Sequence, residues 1–450
     1  MANKRKKYDV IIVGAGPAGM FAVYEMIKKN PKLKIAVIEK GDRVEKRKST
    51  DVMIGFGGGG TYSDGKLHYT PILSHRKAFH LISIKDYMKI VEYVDKILTD
   101  FGVDEKYYPR NIKEVQKLVE KAQKNDIKLN VRRTRHVGTD KLVKIVKRIQ
   151  KLFEKNGVKL YTNTQVVDLL IKNGKCIGVV TEGGREYKAL KVMVAPGRVG
   201  AKWLQDICRK NKIKFVYDRI EVGIRVEFPE SIMHDYSELM YEAIFEMRTA
   251  HFDDVVRTFC PCPYGQVSIE DYKGFVCVNG HTTSQHDSQN SNFAFVSEIG
   301  LSEPLENTTL YARSIAELAT TLGGGKPILQ RLADLRAGRR STWRRINKSY
   351  VIPTLTDVTP GDISMALPYR LTTNILDGLK KLDRVMPGIN TGSTLLYAPE
   401  VKYRGSRIST KKNLETRIKN LFVAGDGAGV SGNIIGAAAT GILAARGMME

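Results

Sequence analysis

Gly14, Gly16 and Gly19, spaced Gly-x-Gly-x-x-Gly after the apolar run 8–13 (YDVIIV), constrain this chain more than any other feature. The run has the composition of a buried strand, residues 20–29 have helical periodicity, and 34–38 (KIAVI) read as a second strand with Glu39 next. Together they make a β-α-β unit of about 30 residues. Gly14 makes the tight turn, Gly16 lets backbone amides reach a pyrophosphate, and Gly19 lets helix and strand pack closely. Glu39 is placed to accept hydrogen bonds from an adenosine ribose and would repel a phosphorylated one. The register of strand, glycines, helix, strand and acid predicts a dinucleotide site and leaves NAD and FAD undistinguished.

Further along, 55–66 (GFGGGGTYSDGK) is a second glycine loop, and 84–125 reads as a helical insert broken at Pro109. Thr139 and Asp140 can cap a helix over 141–155 that stops at Asn156-Gly157. Strands follow at 158–161, 166–171, 175–181 and 190–194, separated by Asn-Gly and Gly-Gly turns. From 201 to 399 irregular strands (222–228, 255–260, 274–278) mix with helices such as 371–386. A strand at 421–424 and a small-residue helix at 433–449 mirror the opening, so the two ends are expected to meet in one sheet. The expected fold is α/β: a Rossmann-like domain from residues 1–200 and 400–450, with an inserted α+β substrate or cap domain at 201–399.

At 450 residues, 42% hydrophobic, the chain can bury a sizeable core. No apolar run approaches the roughly 18 residues of a membrane span. The basic start, Met1 to Lys7, precedes an apolar stretch too short for a signal-peptide core. Five dispersed cysteines form no disulfide framework and fit a reducing cytoplasm, where the protein is expected.

The 73 Lys and Arg against 48 Asp and Glu leave a net +25, unevenly spread. Residues 106–159 hold 17 basic and 5 acidic side chains, a net +12. Helical spacing of these lysines among apolar residues favours a solvated helix face over a nucleic-acid footprint. Arg331, Arg336, Arg339, Arg340, Arg344 and Arg345 crowd around Trp343, and planar guanidinium forks suit phosphate or carboxylate.

The C-terminal segment 421–441 (LFVAGDGAGVSGNIIGAAATG) separates the two cofactors. Its Gly425-Asp426 after an apolar strand resembles the two-dinucleotide-binding-domain flavoproteins, in which such a pair holds the ribityl chain of FAD. Residues 192–197 (VMVAPG) are similar to that superfamily's strand ending in Ala-Thr-Gly, with Pro196 replacing Thr. GFGGGGTYSDGKL (55–67), TFCPCPYGQV (258–267) and ILQRLADLRAGRR (328–340) narrow the resemblance to a largely uncharacterised family of microbial FAD-dependent dehydrogenases, over about 8–446. It implies that Gly14, Gly16, Pro17, Ala18 and Gly19 line the pyrophosphate, Glu39 and Lys40 the adenosine ribose, and Val166 the adenine. Arg47, Gly57, Gly58, Gly59, Gly60, Thr61 and Ser63 would follow the phosphates and flavin. Ala195, Gly197, Gly425, Asp426, Gly432, Asn433 and Ile434 would complete the site, with the helix after Asn433 aimed at the flavin pyrimidine edge.

An FAD-dependent oxidoreductase is thus expected, passing a hydride or electron pair between flavin and a small-molecule substrate. Only one complete glycine fingerprint is present, so NAD(P)H would bind transiently, and the basic surface also admits an acidic electron-transfer protein as donor. Catalytic candidates are Lys66, as a flavin-side cation or a solvated lysine, His68, Cys260 and Cys262. If 260–262 is extended both thiols share a face; the preferred reading is a prolyl-stiffened core turn, and the alternative is a dithiol relay. A metal site from Cys260, Cys262, Cys277 and His281 lacks a standard spacing, so none is expected. His68, His75, His80, His136, His234, His251, His281 and His286 are scattered and give no hydrolytic machinery. Two rivals remain: an RNA-modifying flavoprotein, resting on the basic stretch, and a non-enzymatic FAD-binding scaffold or sensor.

Overall fold

The computed structural model describes residues 7–48, 53–63, 65–272, 274–282, 288–299, 307–402 and 406–450. The basic segment 1–6, Asp64 of the glycine loop and His286 lie outside them. The chain forms two compact units, one of Met1–Lys106, Arg135–Asp218 and Arg404–Glu450, the other of Tyr107–Thr134 and Arg219–Tyr403.

The first unit is built on a parallel sheet. Strand β1 (Lys7–Val13) lies between β2 (Ile35–Ile38) and Glu186–Val194, and Lys159–Tyr161 extends the β2 side. Residues 10–13 and 35–38 are buried almost throughout, as strands covered on both faces must be. Leu421–Val423 pairs in parallel with the last three residues of Glu186–Val194, so both chain ends do meet in one sheet. The first half of that strand instead pairs antiparallel with Lys175–Thr181, which pairs with Val166–Lys172. Helix α1 (Pro17–Lys29) packs on the C-terminal helix Ile434–Met449. Their approach depends on Gly441, where a Cβ would come 2.1 Å from the Ala18 carbonyl oxygen. The parallel strands β1 and β2 and the end of Glu186–Val194 point their carboxyl ends the same way, the side where such sheets bind ligands.

The expected insert at 84–125 is two helices in different units. Ile84–Asp100, capped by Ser83, belongs to the first, and Ile112–Gln123, capped by Asn111, to the second. The basic stretch divides with them. Thr139–Lys155 buries Leu142, Ile145, Val146, Ile149 and Phe153 and turns its lysines outward, so the part of the charge carried by the two helices is a solvated face, while Arg132 is buried against Glu242. That helix starts at Thr139 with Gly138 in the cap position, so it has no side-chain cap, and the Thr139 hydroxyl donates to the Ser63 carbonyl at 2.6 Å.

The second unit centres on an eight-stranded sheet, in the order Thr359–Pro360, Ile328–Arg331, Leu395–Lys402, Ile220–Pro229, Asn290–Ile299, Val255–Cys262, Ile244–Arg248, Ile127–Asn130. Alternation along Ile220–Pro229 puts Val222, Ile224, Val226 and Phe228 on one face, in the main apolar core with residues of helices Thr308–Leu322 and Tyr369–Leu382. Glu221, Arg225 and Glu227 occupy the other face and are equally buried. Buried charge must be paired: Arg257 Nε meets Glu221 at 2.5 Å, Arg225 Nη1 meets Glu400 at 3.4 Å, and Tyr397 donates to Glu227 at 2.6 Å. Burial pushes the Glu227 carboxyl upward, against hydrogen bonds from Thr354, Tyr397 and Asn290.

The arginine cluster has an internal partner. Asp334, fully buried, accepts from Arg331 Nε at 3.1 Å, Arg339 Nε at 2.9 Å and the Ser341 hydroxyl at 2.8 Å. Three of its guanidiniums, Arg345 included at 3.9 Å, therefore surround a carboxylate of the chain itself. The unit boundaries fall at 218/219 and 403/404 and not at 200 and 400. The intervening Ala201–Lys210 helix and the Phe215–Val216 strand, which pairs with Arg407–Ile408, belong to the first unit.

Candidate nucleotide site

The three fingerprint glycines have different reasons to be glycine. A Cβ on Gly14 would lie 2.3 Å from the Ala195 carbonyl oxygen, and its φ of 95° also excludes a side chain. A Cβ on Gly19 would lie 2.0 Å from the Gly14 carbonyl oxygen. Both are required by packing alone. Gly16 caps α1 at φ −70° and ψ −176°, a conformation any residue adopts, and its nearest neighbour to an added Cβ is Gly58 Cα at 3.9 Å. Among the described residues nothing requires glycine there. The space it leaves lies at the helix N-terminus, where unsatisfied amides and the helix dipole attract an anion.

Glu39 organises the loops around that space. Its carboxylate accepts from the backbone amides of Ala15 at 2.8 Å, Gly41 at 2.9 Å and Gly55 at 3.0 Å. A carboxylate offers about four acceptor positions, so among the described residues one remains for a further donor. The second glycine loop folds against the first: the Gly57 amide donates to the Ala15 carbonyl at 2.9 Å, and Gly58–Gly60 forms one 3-10 turn. A Cβ on Gly58 would come 3.0 Å from Gly16 Cα, and one on Gly60 3.1 Å from Pro17. Arg47 fastens this loop, donating to the carbonyls of Phe56 at 2.7 Å and Gly58 at 3.2 Å and to the Thr61 hydroxyl at 3.0 Å. Ser63 donates to the Gly60 carbonyl at 3.0 Å. Lys40 is exposed, whereas Val166 is buried at the start of its strand. Gly425, with φ 78°, would bring a Cβ 3.0 Å from the Ala18 methyl, which ties the C-terminal segment to α1.

Asp426 has partners that its sequence neighbours did not suggest. Arg198 Nε donates to it at 3.1 Å and the Ser431 hydroxyl donates to its other oxygen. Asn433 caps the C-terminal helix by accepting from the Gly436 amide at 2.7 Å, and its own amide donates to Ser74 at 2.6 Å. Gly427 packs on Gly197, where a Cβ would meet the carbonyl oxygen at 2.4 Å. Lys66 is buried in the strand Lys66–His68, which rules out the solvated-lysine alternative. The His68 carbonyl lies 3.0 Å from Nε2 of buried His75, whose Nδ1 is 2.6 Å from the Tyr87 hydroxyl. Cys260 and Cys262 lie in the other unit.

This is a dinucleotide-binding α/β domain with its first glycine loop and its acid at the carboxyl ends of β1 and β2 and a helix N-terminus beside them. Residues 9–217 match the FAD dependent oxidoreductase family, and residues 219–403 match the FAD-dependent protein, C-terminal domain-like family. The protein is an FAD-dependent oxidoreductase: its cofactor is FAD and it is an enzyme. An uncharacterized protein of Clostridium beijerinckii is 26% identical over 475 residues, covering 98% of this chain and 80% of that protein. Among solved structures, a 3-ketosteroid dehydrogenase of Rhodococcus jostii is similar at 13% identity and TM-score 0.45, over 100% of this chain and 98% of that one. Glycine oxidase of Bacillus cereus is similar at 13% identity and TM-score 0.40, over 98% and 97%. Among the described residues, no three His, Cys, Asp or Glu side chains gather as metal ligands, and no helix is long and apolar enough to cross a membrane.

Proposed function

We propose that the first unit holds FAD along the Gly14–Gly19 and Gly57–Gly60 loops, and that the second unit is the substrate domain of a dehydrogenase acting on a small molecule. The observation that carries this reading is Gly16, a glycine for which packing among the described residues supplies no reason, at the N-terminus of α1. Bound FAD supplies a reversible acceptor for a hydride or electron pair. The chain's own residues bind and orient it. The α1 amides receive the pyrophosphate, and the open acceptor position of Glu39 takes a ribose hydroxyl, with Lys40 and Val166 at that end. Arg47, through Gly57, Gly58, Gly59, Gly60, Thr61 and Ser63, sets the loop along the phosphates. Asp426, held by Arg198 and Ser431, accepts from the ribityl region, beside Ala195, Gly197 and Gly432. Asn433 and Ile434 open the helix whose positive end favours negative charge on the flavin. Lys66 and His68 are the catalytic candidates of this unit.

The electron donor is NADPH or NADH bound transiently, or an acidic electron-transfer protein drawn to the basic surface in a reducing cytoplasm. The deciding experiment is anaerobic reduction of the purified holoprotein with NADH, NADPH and reduced ferredoxin in turn, then a metabolite screen for reoxidation. Bleaching of the flavin by one donor and recovery with one metabolite supports the reading. A flavin that cycles with none of them would make the protein a scaffold or sensor.

A further inference from the structure

Residues 343–352 project large apolar side chains into solvent from a backbone that is fastened at several points. Tyr350 is 94% exposed, Ile352 79% and Trp343 41%. Between these positions Ile346 and Val351 are buried in an apolar cluster with Leu395 and Tyr397. The Ser349 hydroxyl donates to the Ser393 carbonyl at 2.7 Å, and the Tyr350 amide donates to the Ser393 hydroxyl at 3.3 Å. Asn290 Nδ2 donates to the Ile352 carbonyl at 2.8 Å, and the Thr354 hydroxyl donates to buried Glu227 at 2.5 Å. Burial of Val351 between them, with these bonds, keeps Tyr350 and Ile352 on the outside. Apolar side chains presented together by an anchored segment mark an interaction surface.

The charge around them has one sign. No Asp or Glu occurs between Leu335 and Thr356. Asp334 takes Arg331, Arg339 and Arg345. Arg340, Arg344 and Lys348 are exposed, and none of the three has an ionic partner among the described residues. A second copy of the chain would bring the same cations face to face and is opposed by charge. A nucleic-acid strand would use the cations and the rings but gain nothing from Ile352. An acidic protein would have to offer a pocket for each projecting side chain. An anionic bilayer suits all six residues at once. Trp and Tyr settle at headgroup level, an aliphatic chain enters the acyl boundary without a matching pocket, and Arg and Lys meet lipid phosphates.

We infer that residues 340–352 are a peripheral membrane-docking segment, in which Trp343, Tyr350 and Ile352 enter the interface of an anionic bilayer and Arg340, Arg344 and Lys348 bind its headgroups. The contact is peripheral, since among the described residues no helix is long and apolar enough to cross a membrane. The net +25 of the chain adds long-range attraction to such a surface. The segment lies in the second unit, and its role does not depend on the FAD site of the first.

The test is sedimentation of the purified holoprotein with vesicles of phosphatidylcholine containing about one-third phosphatidylglycerol, in roughly 0.1 M salt. Wild type should pellet with these vesicles and stay in solution with pure phosphatidylcholine. Tyr350→Ser combined with Ile352→Ser should lower the partition coefficient about tenfold or more. Arg344→Ala and Lys348→Ala should each lower it about fivefold. All four side chains are exposed, so melting temperature and flavin content should match wild type. In a Trp203→Phe background, which leaves Trp343 as the one tryptophan, emission should shift to the blue on adding the anionic vesicles. Wild-type pelleting and this shift decide the matter even if the double variant does not fold. No pelleting, equal pelleting with pure phosphatidylcholine, pelleting that a folded double variant does not reduce, or unshifted Trp343 emission would overturn the proposal. Vesicles ignored while reduced ferredoxin or a single-stranded oligonucleotide binds wild type and not the double variant would assign the segment to an acidic protein or to nucleic acid instead.

Discussion

Replacing Gly16 by Ala tests the nucleotide site with little interference from folding. The added Cβ would sit 3.9 Å from Gly58 Cα, an ordinary contact, and the φ of −70° suits alanine. Alanine is a poorer N-cap than glycine by up to about 1 kcal/mol, but it lowers unfolded-chain entropy by about 0.4–1 kcal/mol, so the apoprotein should melt within about 1 kcal/mol of wild type. Binding should respond differently. A methyl group between the α1 amides and a pyrophosphate removes at least one charge-assisted hydrogen bond, about 1.5–3 kcal/mol, which weakens FAD roughly tenfold to a hundredfold. The assay is flavin-fluorescence titration of apoprotein, with circular dichroism of the same samples. Gly19→Ala and Gly14→Ala serve as contrast: their Cβ atoms fall 2.0 and 2.3 Å from carbonyl oxygens, so they should lose fold and flavin together. Wild-type FAD affinity in a folded Gly16→Ala variant would refute the placement of the phosphates.

Glu39→Ala removes the acceptor of three loop amides and should destabilise the protein by about 2 kcal/mol or more, read as a lower melting temperature even without flavin; an unchanged melt would contradict the loop-organising role. Asp334 is buried, which opposes ionisation, but hydrogen bonds from Ser341, Arg339 and Arg331 outweigh this and hold its carboxyl below the usual range. Its stabilisation is full above the unfolded value of about 3.9 and is lost as pH falls through the lower folded value. The wild type should therefore lose melting temperature more steeply than Asp334→Asn between about pH 5 and pH 2, and parallel curves would remove Asp334 as the clasp of the arginine segment.

The parallel sheet was legible because apolar runs, glycine turns and the closing strand all speak through local composition. What surrounds the site residues was not. Glu39 could be assigned a ribose, but not the amides of Gly41 and Gly55, which reach it through loop geometry with no periodic signal. Arg198 and Ser431 bind Asp426 across a fold-dependent distance, and the one available cue was Arg198 directly after the apolar strand and Gly197. At Cys260 the cue is Pro261: it cannot donate to a ladder, so a proline inside a paired strand implies a bulge, and the register does shift between Phe259 and Cys262. The arginines at 331–345 looked like a surface for external anions because Asp334, in the same segment, was not counted as their partner.

The interleaving of the two units has a consequence for anyone cutting the gene. The chain passes from one unit to the other at 106/107, 134/135, 218/219 and 403/404, so neither unit is a contiguous piece. A fragment ending near 217 would carry Ile127–Asn130 without its partner Ile244–Arg248 and would lack Leu421–Val423 beside Glu186–Val194. It would expose one unpaired strand and leave a vacancy in its own sheet, both invitations to aggregate. During synthesis the parallel sheet closes only after some 200 further residues have been made, so the middle of the chain has time to fold while that sheet is unfinished.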